Sequence, residues 1–168
     1  MALTSEEQKT IQYYDEHAGE WAQKHGMADP SNYKLFDPEM KLLFKLRPTG
    51  KVLEIGTGHG GDAIELIAQY GVENYVGIDA STGLLKIARS RNPGADLRQQ
   101  NIYEMSFPDE IFDVFWISAM LIHVHKNKLQ NALKNVRRVV KPGGIGFVSV
   151  MEGNADMEES RPGRHYSL

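Results

Sequence analysis

The sequence predicts an α/β fold: a Rossmann-like, doubly wound sheet of five parallel strands flanked by helices, with an N-terminal helical lid. Two observations lead to this prediction. From Lys51 onward, apolar runs of strand length alternate with segments of helical periodicity. The runs VLEI, YVGI and FDVFWIS are too continuously apolar for a half-exposed sheet, which indicates a parallel sheet covered on both faces.

Residues 1–48 are expected to form a lid of two helices outside the sheet. Residues 5–25 have the pattern of one amphipathic helix, which Ser5 caps and Gly26 ends. A second helix begins at Asp37, its predicted cap, with Pro38 in the first helical position. The apolar face of the first helix consists of Ile11, Tyr14, Ala18 and Trp21.

The rest of the chain is expected to form a core over 51–151 and a tail over 152–168, so that 1–168 is a single domain. Helix ends are indicated by Gly71, by Asn92-Pro93-Gly94 and by Pro142-Gly143-Gly144. The predicted strands are 52–55, 75–79, 96–101, 112–118 and 145–150. The predicted helices between them are 61–70, 82–91 and about 126–140.

Composition excludes several classes of function. The net charge is −3, so nothing in the global charge indicates a nucleic-acid partner. The chain has no cysteine, which excludes disulfides, thiolate nucleophiles and cysteine-ligated metals and fits a reducing cytoplasm. There is no signal-peptide pattern, and no apolar run approaches the roughly 20 residues of a membrane span. We therefore expect a cytoplasmic protein without a membrane partner.

A glycine-rich loop, VLEIGTGHGG, follows the first predicted strand. It fits G-x-G-x-x-G, the dinucleotide pattern, and also E-x-G-x-G-x-G, a pattern typical of S-adenosylmethionine (SAM) sites. Glycines permit a tight turn and a close approach of the backbone to a ligand in both cases. The loop alone therefore leaves the cofactor open.

The context of the loop favours SAM over NAD. Asp79 ends the next strand and can accept hydrogen bonds from ribose hydroxyls, but both cofactors have a ribose. A full dinucleotide fold needs six strands and usually a substrate domain, and 168 residues leave no room for them. Asp62, directly after the glycines, would crowd a pyrophosphate, whereas SAM has no phosphate.

Four ordered segments resemble the class I SAM-dependent methyltransferases: VLEIGTGHGG, YVGIDAS, QNIYEMSFPDEIFDVFWISAMLIHV and RRVVKPGGIGFVSV. The resemblance runs from about Lys51 to Met151, with a weaker echo in YYDEHAGEWA. It is greatest for the small-molecule branch, whose N-terminal helices form a lid. The resemblance implies methyl transfer from SAM to a small-molecule acceptor, with S-adenosylhomocysteine (SAH) as the product.

The same resemblance implies a set of cofactor-binding residues. Asn101 departs from the family, which commonly has Asp there; its amide can still accept from the adenine amine but lacks the charge. Tyr14 and Trp21 either pack the first helix on the domain or present an aromatic face to the sulfonium. The cofactor-binding residues implied are Glu54, Gly56, Thr57, Gly58 and Gly60 for the methionine part, Asp79 for the ribose, Ala80, Ser81, Asn101 and Ile102 for the adenine side, Ser118 near the methionine end, and Tyr14 and Trp21.

Catalysis requires little from the protein beyond alignment, because the sulfonium already activates the methyl group. His123 and Tyr14 are the candidate catalytic residues, and His123 is otherwise an ordinary buried or surface histidine. His123 and His125 are spaced as a metal pair on a strand would be, but no third ligand is evident, so no metal is predicted. The segment ISAML lacks the Asn/Asp-Pro-Pro-aromatic signature of enzymes that methylate planar amino groups, which favours a small acceptor.

The last residues predict how the sheet ends. The resembled family continues with a helix and an antiparallel hairpin, and these C-terminal strands are expected to be missing. The strand at 145–150 would then be a sheet edge with unpaired backbone groups, and the tail 152–168 is mostly polar. We expect a homodimer through this strand or through exchanged tails, against the alternative of a monomer shielded by its own tail. A SAM- or SAH-binding protein without catalysis is the alternative function, and an NAD-dependent oxidoreductase is a more distant one.

Overall fold

The predicted five-stranded parallel sheet is confirmed. The structure, a computed structural model, describes residues 2–27, 36–151, 158–161 and 163–167. All pairings in the sheet are parallel, in the order β3-β2-β1-β4-β5. The strands are β1 (Val52–Ile55), β2 (Tyr75–Asp79), β3 (Asp96–Gln99), β4 (Phe112–Ile117) and β5 (Val140–Val148).

Helices cover both faces of this sheet. Side chains of α3, α4 and α5 pack with Val52, Val114 and Trp116 in one apolar core. Side chains of α6 pack with Leu53 and Ile55 in a second core. The three central strands β1, β2 and β4 are therefore largely buried, as their continuous apolar runs indicate, whereas β3 and β5 at the edges are more exposed. The helices are α1 (Ser5–Glu16), α2 (Ala18–Ala22), α3 (Asp37–Leu46), α4 (Gly61–Tyr70), α5 (Thr82–Arg91) and α6 (Leu129–Val139).

Predicted and observed bounds agree for β1, β2, α4 and α5 and differ elsewhere for local reasons. β3 ends at Gln99 because the Asn101 side chain accepts from the Tyr103 amide and starts a turn. β5 begins at Val140, before the predicted turn at 142–144. Val140 pairs with Phe112 and Ile145 with Val114, so the turn is a bulge within the strand pairing.

The N-terminal helix departs from the prediction of one helix capped by Ser5. Thr4 is the cap: its hydroxyl accepts from the Glu7 amide, and the Glu7 carboxylate accepts from the Thr4 amide. The helix is interrupted at His17, whose ring Nδ1 lies 2.9 Å from the Tyr13 carbonyl, and a π-helical turn over Gln23–Met27 follows α2. Gly26 lies within that turn. The loop before α3 lies outside the described residues.

The third helix was predicted to be capped by Asp37. Its cap is Phe36, and Asp37 is already helical, with Pro38 in the first turn. The Asp37 carboxylate accepts from Lys41 Nζ at 2.6 Å, one turn along the helix. The predicted start is therefore wrong by one residue, because the side chain pairs within the helix rather than with its first amides.

Two buried or half-buried acids tie α1 to the core. Asp15 accepts from the Ser81 hydroxyl at 2.7 Å and from the Gly83 amide at 2.8 Å, where α5 begins. Glu7 accepts from the Tyr103 hydroxyl and, at 2.9 Å, from Lys128 Nζ. Burial alone would raise the pKa of Glu7, but these hydrogen bonds outweigh it and lower that pKa.

The C-terminal residues form a short antiparallel hairpin, β6 (Glu158–Arg161) and β7 (Arg164–Ser167), as a sheet of its own. The sequence predicted a polar tail with little surface to cover anything, and this is wrong for β7. Tyr166 is buried, and its ring lies 5.0 Å from that of His123. In the described residues β5 pairs with β4 alone, so it is the sheet edge that the sequence predicted.

Within the described ranges, no helix combines the length and the apolar character that crossing a bilayer requires.

Gly83 tests the docking of α1 and α2 on α5. A Cβ at Gly83 would lie 2.7 Å from the Asp15 carbonyl oxygen and 2.9 Å from its Cα. We expect Gly83→Ala to displace the segment, accelerate hydrogen exchange over 5–22 and lower the free energy of unfolding by about 1–3 kcal/mol.

Gly19→Ala is the matched control, because a Cβ there would meet nothing within 4 Å. It should leave exchange unchanged and raise stability by roughly 0.5–1 kcal/mol through helix propensity. Equal exchange in the two variants would contradict the docking.

Candidate functional site

A cavity of about 490 Å³ lies at the carboxyl ends of β1, β2 and β4, beneath α1 and the C-terminal hairpin. The sheet order reverses between β1 and β4, and ligands of open α/β sheets bind at such a switch point. The volume lies within the range of small-molecule sites. All of the sequence-predicted site residues except Gly60 line it: Tyr14, Trp21, Glu54, Gly56, Thr57, Gly58, Asp79, Ala80, Ser81, Asn101, Ile102, Ser118 and His123.

The glycine loop forms the floor of the cavity. Gly58 has a φ of 55°, and a Cβ added to it would have no atom closer than 4.0 Å, so it faces open space. Gly60 has a φ of 77° and does not line the cavity; its Cβ would lie 2.5 Å from Asn92 Nδ2 and 3.1 Å from Ala88. One glycine thus admits a ligand and the other lets α5 approach.

Glu54 is a buried acid beneath the loop. One carboxylate oxygen accepts from the Thr57 hydroxyl at 2.8 Å and from the Tyr75 hydroxyl. Burial, together with the negative charge of Asp62, raises the pKa of Glu54 to about 8. Glu54 is therefore largely protonated at neutral pH.

Asp79 ends β2 at the cavity wall, as predicted. Its carboxylate accepts from the Gly58 and Ser81 amides, each at 2.8 Å. Burial raises its pKa despite these bonds. A carboxylate has about four acceptor positions, so two remain for a ligand's hydroxyls.

Asp62 has a role that sequence reasoning missed. It lies in the first turn of α4, and its carboxylate accepts from Trp116 Nε1 at 2.7 Å and from the Ser118 hydroxyl. Burial raises the pKa of Asp62. Three acidic side chains, Glu54, Asp62 and Asp79, therefore line one wall. The signal in the sequence is an acid directly after a glycine loop, a position that favours the helix dipole and would crowd a pyrophosphate.

The predicted adenine side is partly committed to local structure. Ser81 caps α5 by accepting from the Leu84 amide, and its hydroxyl donates to Asp15. Asn101 Oδ1 accepts from the Tyr103 amide at 2.9 Å, which leaves it one further acceptor position. Ile102 is buried beside it and offers an apolar contact.

The covering wall is aromatic and brings the two candidate catalytic residues together. The Tyr14 hydroxyl lies 3.0 Å from His123 Nε2. Burial raises the pKa of Tyr14 to about 12, so its hydroxyl stays neutral. Trp21 lines the cavity, but its ring stacks on His25 at 3.8 Å. A contact of either aromatic ring with a sulfonium stays a prediction.

Arg164 and Tyr166 of β7 also line the cavity, and the sequence analysis did not include them. They are two residues apart on a strand, so they lie on one face. The tail is mostly polar in sequence, and its contacts with α1 join segments too far apart in the chain to be predicted from periodicity. His125 does not line the cavity, and the described residues contain no cluster of three His, Asp or Glu side chains arranged for a metal.

Comparison with known proteins identifies relatives of the core. The family described as "Methyltransferase domain" matches residues 52–144. The chain is 33% identical over 96 residues to a probable phthiotriol/phenolphthiotriol dimycocerosates methyltransferase of Mycobacterium ulcerans, covering 56% of this chain and 36% of that protein. It is 31% identical over 111 residues to a fatty-acid O-methyltransferase of Mycolicibacterium smegmatis, covering 65% and 40%.

Solved structures share the fold. A DhpI–SAH complex matches with a TM-score of 0.67 and 21% identity, over 98% of this chain and 79% of that one. The PH0226 protein of Pyrococcus horikoshii matches with a TM-score of 0.63 and 26% identity, over 79% and 62%. The chain spans less than half the length of the curated relatives it matches, from 21% to 46% of four of them.

The raised pKa of Glu54 predicts a pH dependence of stability. The unfolded pKa lies near 4.5 and the folded one near 8, so the folded state binds more protons between these values. The contribution of Glu54 to the free energy of unfolding is fully present below pH 4.5 and is lost as the pH rises to 8. Glu54→Gln keeps the hydrogen-bond acceptor but cannot ionise. It should therefore reduce the decrease in the free energy of unfolding over this pH range by about 1–4 kcal/mol.

Denaturant unfolding at pH 5 and pH 8 measures the effect, with the exposed Glu65→Gln as the control. Because burial also raises the pKa values of Asp62 and Asp79, some slope should remain in the Glu54 variant. A wild-type slope unchanged by Glu54→Gln would contradict the assignment.

Proposed function

The chain belongs to the methyltransferase-domain family, and on that basis we propose that it transfers a methyl group from SAM to a small-molecule acceptor and releases SAH. The class I methyltransferase resemblance is confirmed by the family match and the sheet order. One observation carries the proposal: the acidic wall of Glu54, Asp62 and Asp79 beside the glycine loop. SAM brings a sulfonium and an ammonium, and acids near them favour both charges.

The hydrogen bonds of the glycine loop argue against NAD. A pyrophosphate needs free backbone N–H groups, yet the amides of Gly56 and Thr57 both donate to the Ile78 carbonyl. The Gly58 amide donates to Asp79, and the Gly60 amide donates to the Thr57 carbonyl. These four loop amides are therefore occupied, and the nearby charges would repel a phosphate.

The proposed cofactor contacts follow the cavity from β1 to β3. The methionine part would lie over the glycine loop between Glu54 and Ser118, with Asp79 accepting from the ribose hydroxyls. Adenine would lie beside Ala80, Ser81, Asn101 and Ile102. Two other features stay predictions. One is the division of a single domain into lid, core and tail, and the other is the cytoplasmic location.

We propose that Tyr14 and His123 act on the acceptor. The Tyr14 oxygen can accept from His123 Nε2–H, and in that tautomer Nδ1 is the ring nitrogen that carries the lone pair. Tyr14 would orient the imidazole, and His123 would take the acceptor's proton where one is lost. The covering helix and hairpin would exclude water from the in-line displacement.

Binding of SAM or SAH without turnover is the second candidate. The Tyr14–His123 contact and the Tyr166 ring close the acceptor end, which favours a cavity that holds cofactor alone. Release of SAH in the presence of acceptors decides between the two functions.

The binding test is calorimetric titration with SAM, SAH and NAD. Asp79→Asn should weaken SAM binding about 10- to 100-fold, because charge-assisted bonds to the ribose are lost. The exposed Asp109→Asn is the control and should bind as the wild type does. Tight NAD binding without SAM binding would overturn the cofactor assignment.

The turnover test uses SAH release with a panel of fatty acids, hydroxy acids and amines. Tyr14→Phe should lower kcat about 10- to 100-fold and change SAM affinity little, because a positioned proton acceptor loses its partner. Tyr13→Phe removes the neighbouring hydroxyl and should have no effect on kcat. If Tyr14 and His123 act as a unit, the double variant should be no worse than His123→Gln alone, and additive losses would refute the pairing.

We also propose self-association through the β5 edge. Val148 is 41% exposed on this edge, and Val150 and Met151 beyond it are exposed as well. Because β7 packs near α1 of its own chain, the strand edge is the route we favour over exchanged tails. Val148→Lys should give monomers in light scattering, whereas Val72→Lys, at a valine 40% exposed and distant in the fold, should not. A wild-type monomer at high micromolar concentration would contradict this proposal.

A further inference from the structure

We propose that Arg164 forms an anion subsite at the covered end of the cavity and that the methyl acceptor is a small molecule carrying a carboxylate or phosphate group. The inference rests on the proposed function and narrows it to a class of acceptor. The Arg164 side chain, on β7, lines the cavity. The proposed binding of SAM depends on the glycine loop and the acidic wall, and it does not require Arg164.

Aromatic rings hold the guanidinium in place. Its central carbon lies 4.9 Å from the Tyr13 ring centre, 5.1 Å from that of Trp21 and 5.5 Å from that of Tyr166. The turn residue Gly163 approaches Tyr13 so closely that an added Cβ would lie 2.3 Å from its ring. The aromatic contacts satisfy the faces of the guanidinium but none of its N–H groups.

The N–H groups of Arg164 are only partly used. Arg164 acts on the Tyr14 hydroxyl and partly offsets the rise that burial causes in the Tyr14 pKa, and Nε is buried without a hydrogen-bond partner. Among residues whose side chains the structure describes, no carboxylate pairs with Arg164. A guanidinium has five donors in a planar fork that matches a carboxylate or a phosphate. Nε itself is buried, but Arg164 is only half-buried and lines the cavity, so the outer N–H groups of its guanidinium are the donors that such a group would use.

Negative and positive side chains lie on different sides of the cavity. Acids line the wall beside the glycine loop, and Arg164 lines the cover. The Tyr14 hydroxyl responds to both: burial raises its pKa, Arg164 lowers it, and the charge of Asp79 raises it. A cationic methyl donor at the acidic wall and an anionic acceptor at Arg164 would each meet the opposite charge. The reacting atom of that acceptor would then lie near Tyr14 and His123.

The methionine carboxylate of SAM is the rival occupant, because it has the same chemistry. The contacts of Arg164 argue for the acceptor. Its guanidinium lies over the rings of Tyr13, Trp21 and Tyr166, none of which belongs to the glycine loop, and of these only Trp21 is among the residues predicted to contact the cofactor. Arg164 also acts on the Tyr14 hydroxyl. Tyr14 in turn contacts His123, the pair proposed to act on the acceptor.

The first arm of the test measures SAH binding by calorimetry for wild type, Arg164→Gln, Arg164→Lys and the exposed Arg137→Gln. We expect affinities within about threefold of each other, because the cofactor carboxylate does not use Arg164. A loss of tenfold or more in Arg164→Gln alone would assign Arg164 to the cofactor and overturn the proposal. A wild type that does not bind SAH would overturn the proposed function and this inference with it.

The second arm titrates the SAH-saturated proteins with inorganic phosphate and with propionate, so that the cofactor carboxylate is already in place. We expect the wild type and Arg137→Gln to bind at least one anion, and Arg164→Gln to bind it about tenfold or more weakly. Arg164→Lys should be intermediate, because it keeps the charge without the fork. Intermediate binding by Arg164→Lys would also show that the weaker binding of Arg164→Gln results from the lost guanidinium and not from unfolding of the hairpin.

Two results would overturn the inference while leaving the proposed function intact. One is an SAH-saturated wild type that binds neither phosphate nor propionate. The other is anion binding that Arg164→Gln retains in full.

Discussion

The cavity depends on how the glycine loop is hydrogen-bonded to the end of β2. The amides of Gly56 and Thr57 converge on the Ile78 carbonyl at 2.8 and 3.0 Å, and the Gly58 amide bonds to Asp79. These bonds join the ends of two neighbouring strands and hold the Asp79 carboxylate at the cavity wall. They also occupy loop amides that could otherwise approach a phosphate. The geometry that makes the site is thus the geometry that limits its ligands.

The cover is built from parts of the chain that are far apart in sequence. Asp15 binds the start of α5, and Glu7 binds Tyr103 and Lys128, so α1 is attached near both of its ends. β7 adds Arg164 and Tyr166 from the opposite end of the chain. Hydrogen bonds attach α1 to the core, whereas ring contacts of Arg164 and Tyr166 attach β7.

The core was predictable from the sequence because its signals are local. Gly71 and Asn92-Pro93-Gly94 end helices within a residue of where their patterns stop, and the apolar runs of β1 and β2 are bounded by such breakers. Thr4 was missed as a cap because Ser5 is an equally good candidate by type, and the choice follows from the reciprocal bond to Glu7. Asp62 and Arg164 were missed because their partners, Trp116 and the Tyr13 ring, come from distant segments. Pairings of this kind have no period in the sequence.

The protonation of Glu54 gives cofactor capture a proton stoichiometry. With a pKa of about 8, this carboxyl is mainly the neutral acid near pH 7. A cation placed beside it favours the ionised form and lowers the pKa, so a proton passes to the solvent as the cation arrives. The cavity thus loses a proton as it gains the ligand's positive charge. Its net charge therefore changes by less than the charge of the ligand. Occupancy would consequently rise with pH across the neutral range, and the observed heat of binding would depend on the ionisation enthalpy of the buffer.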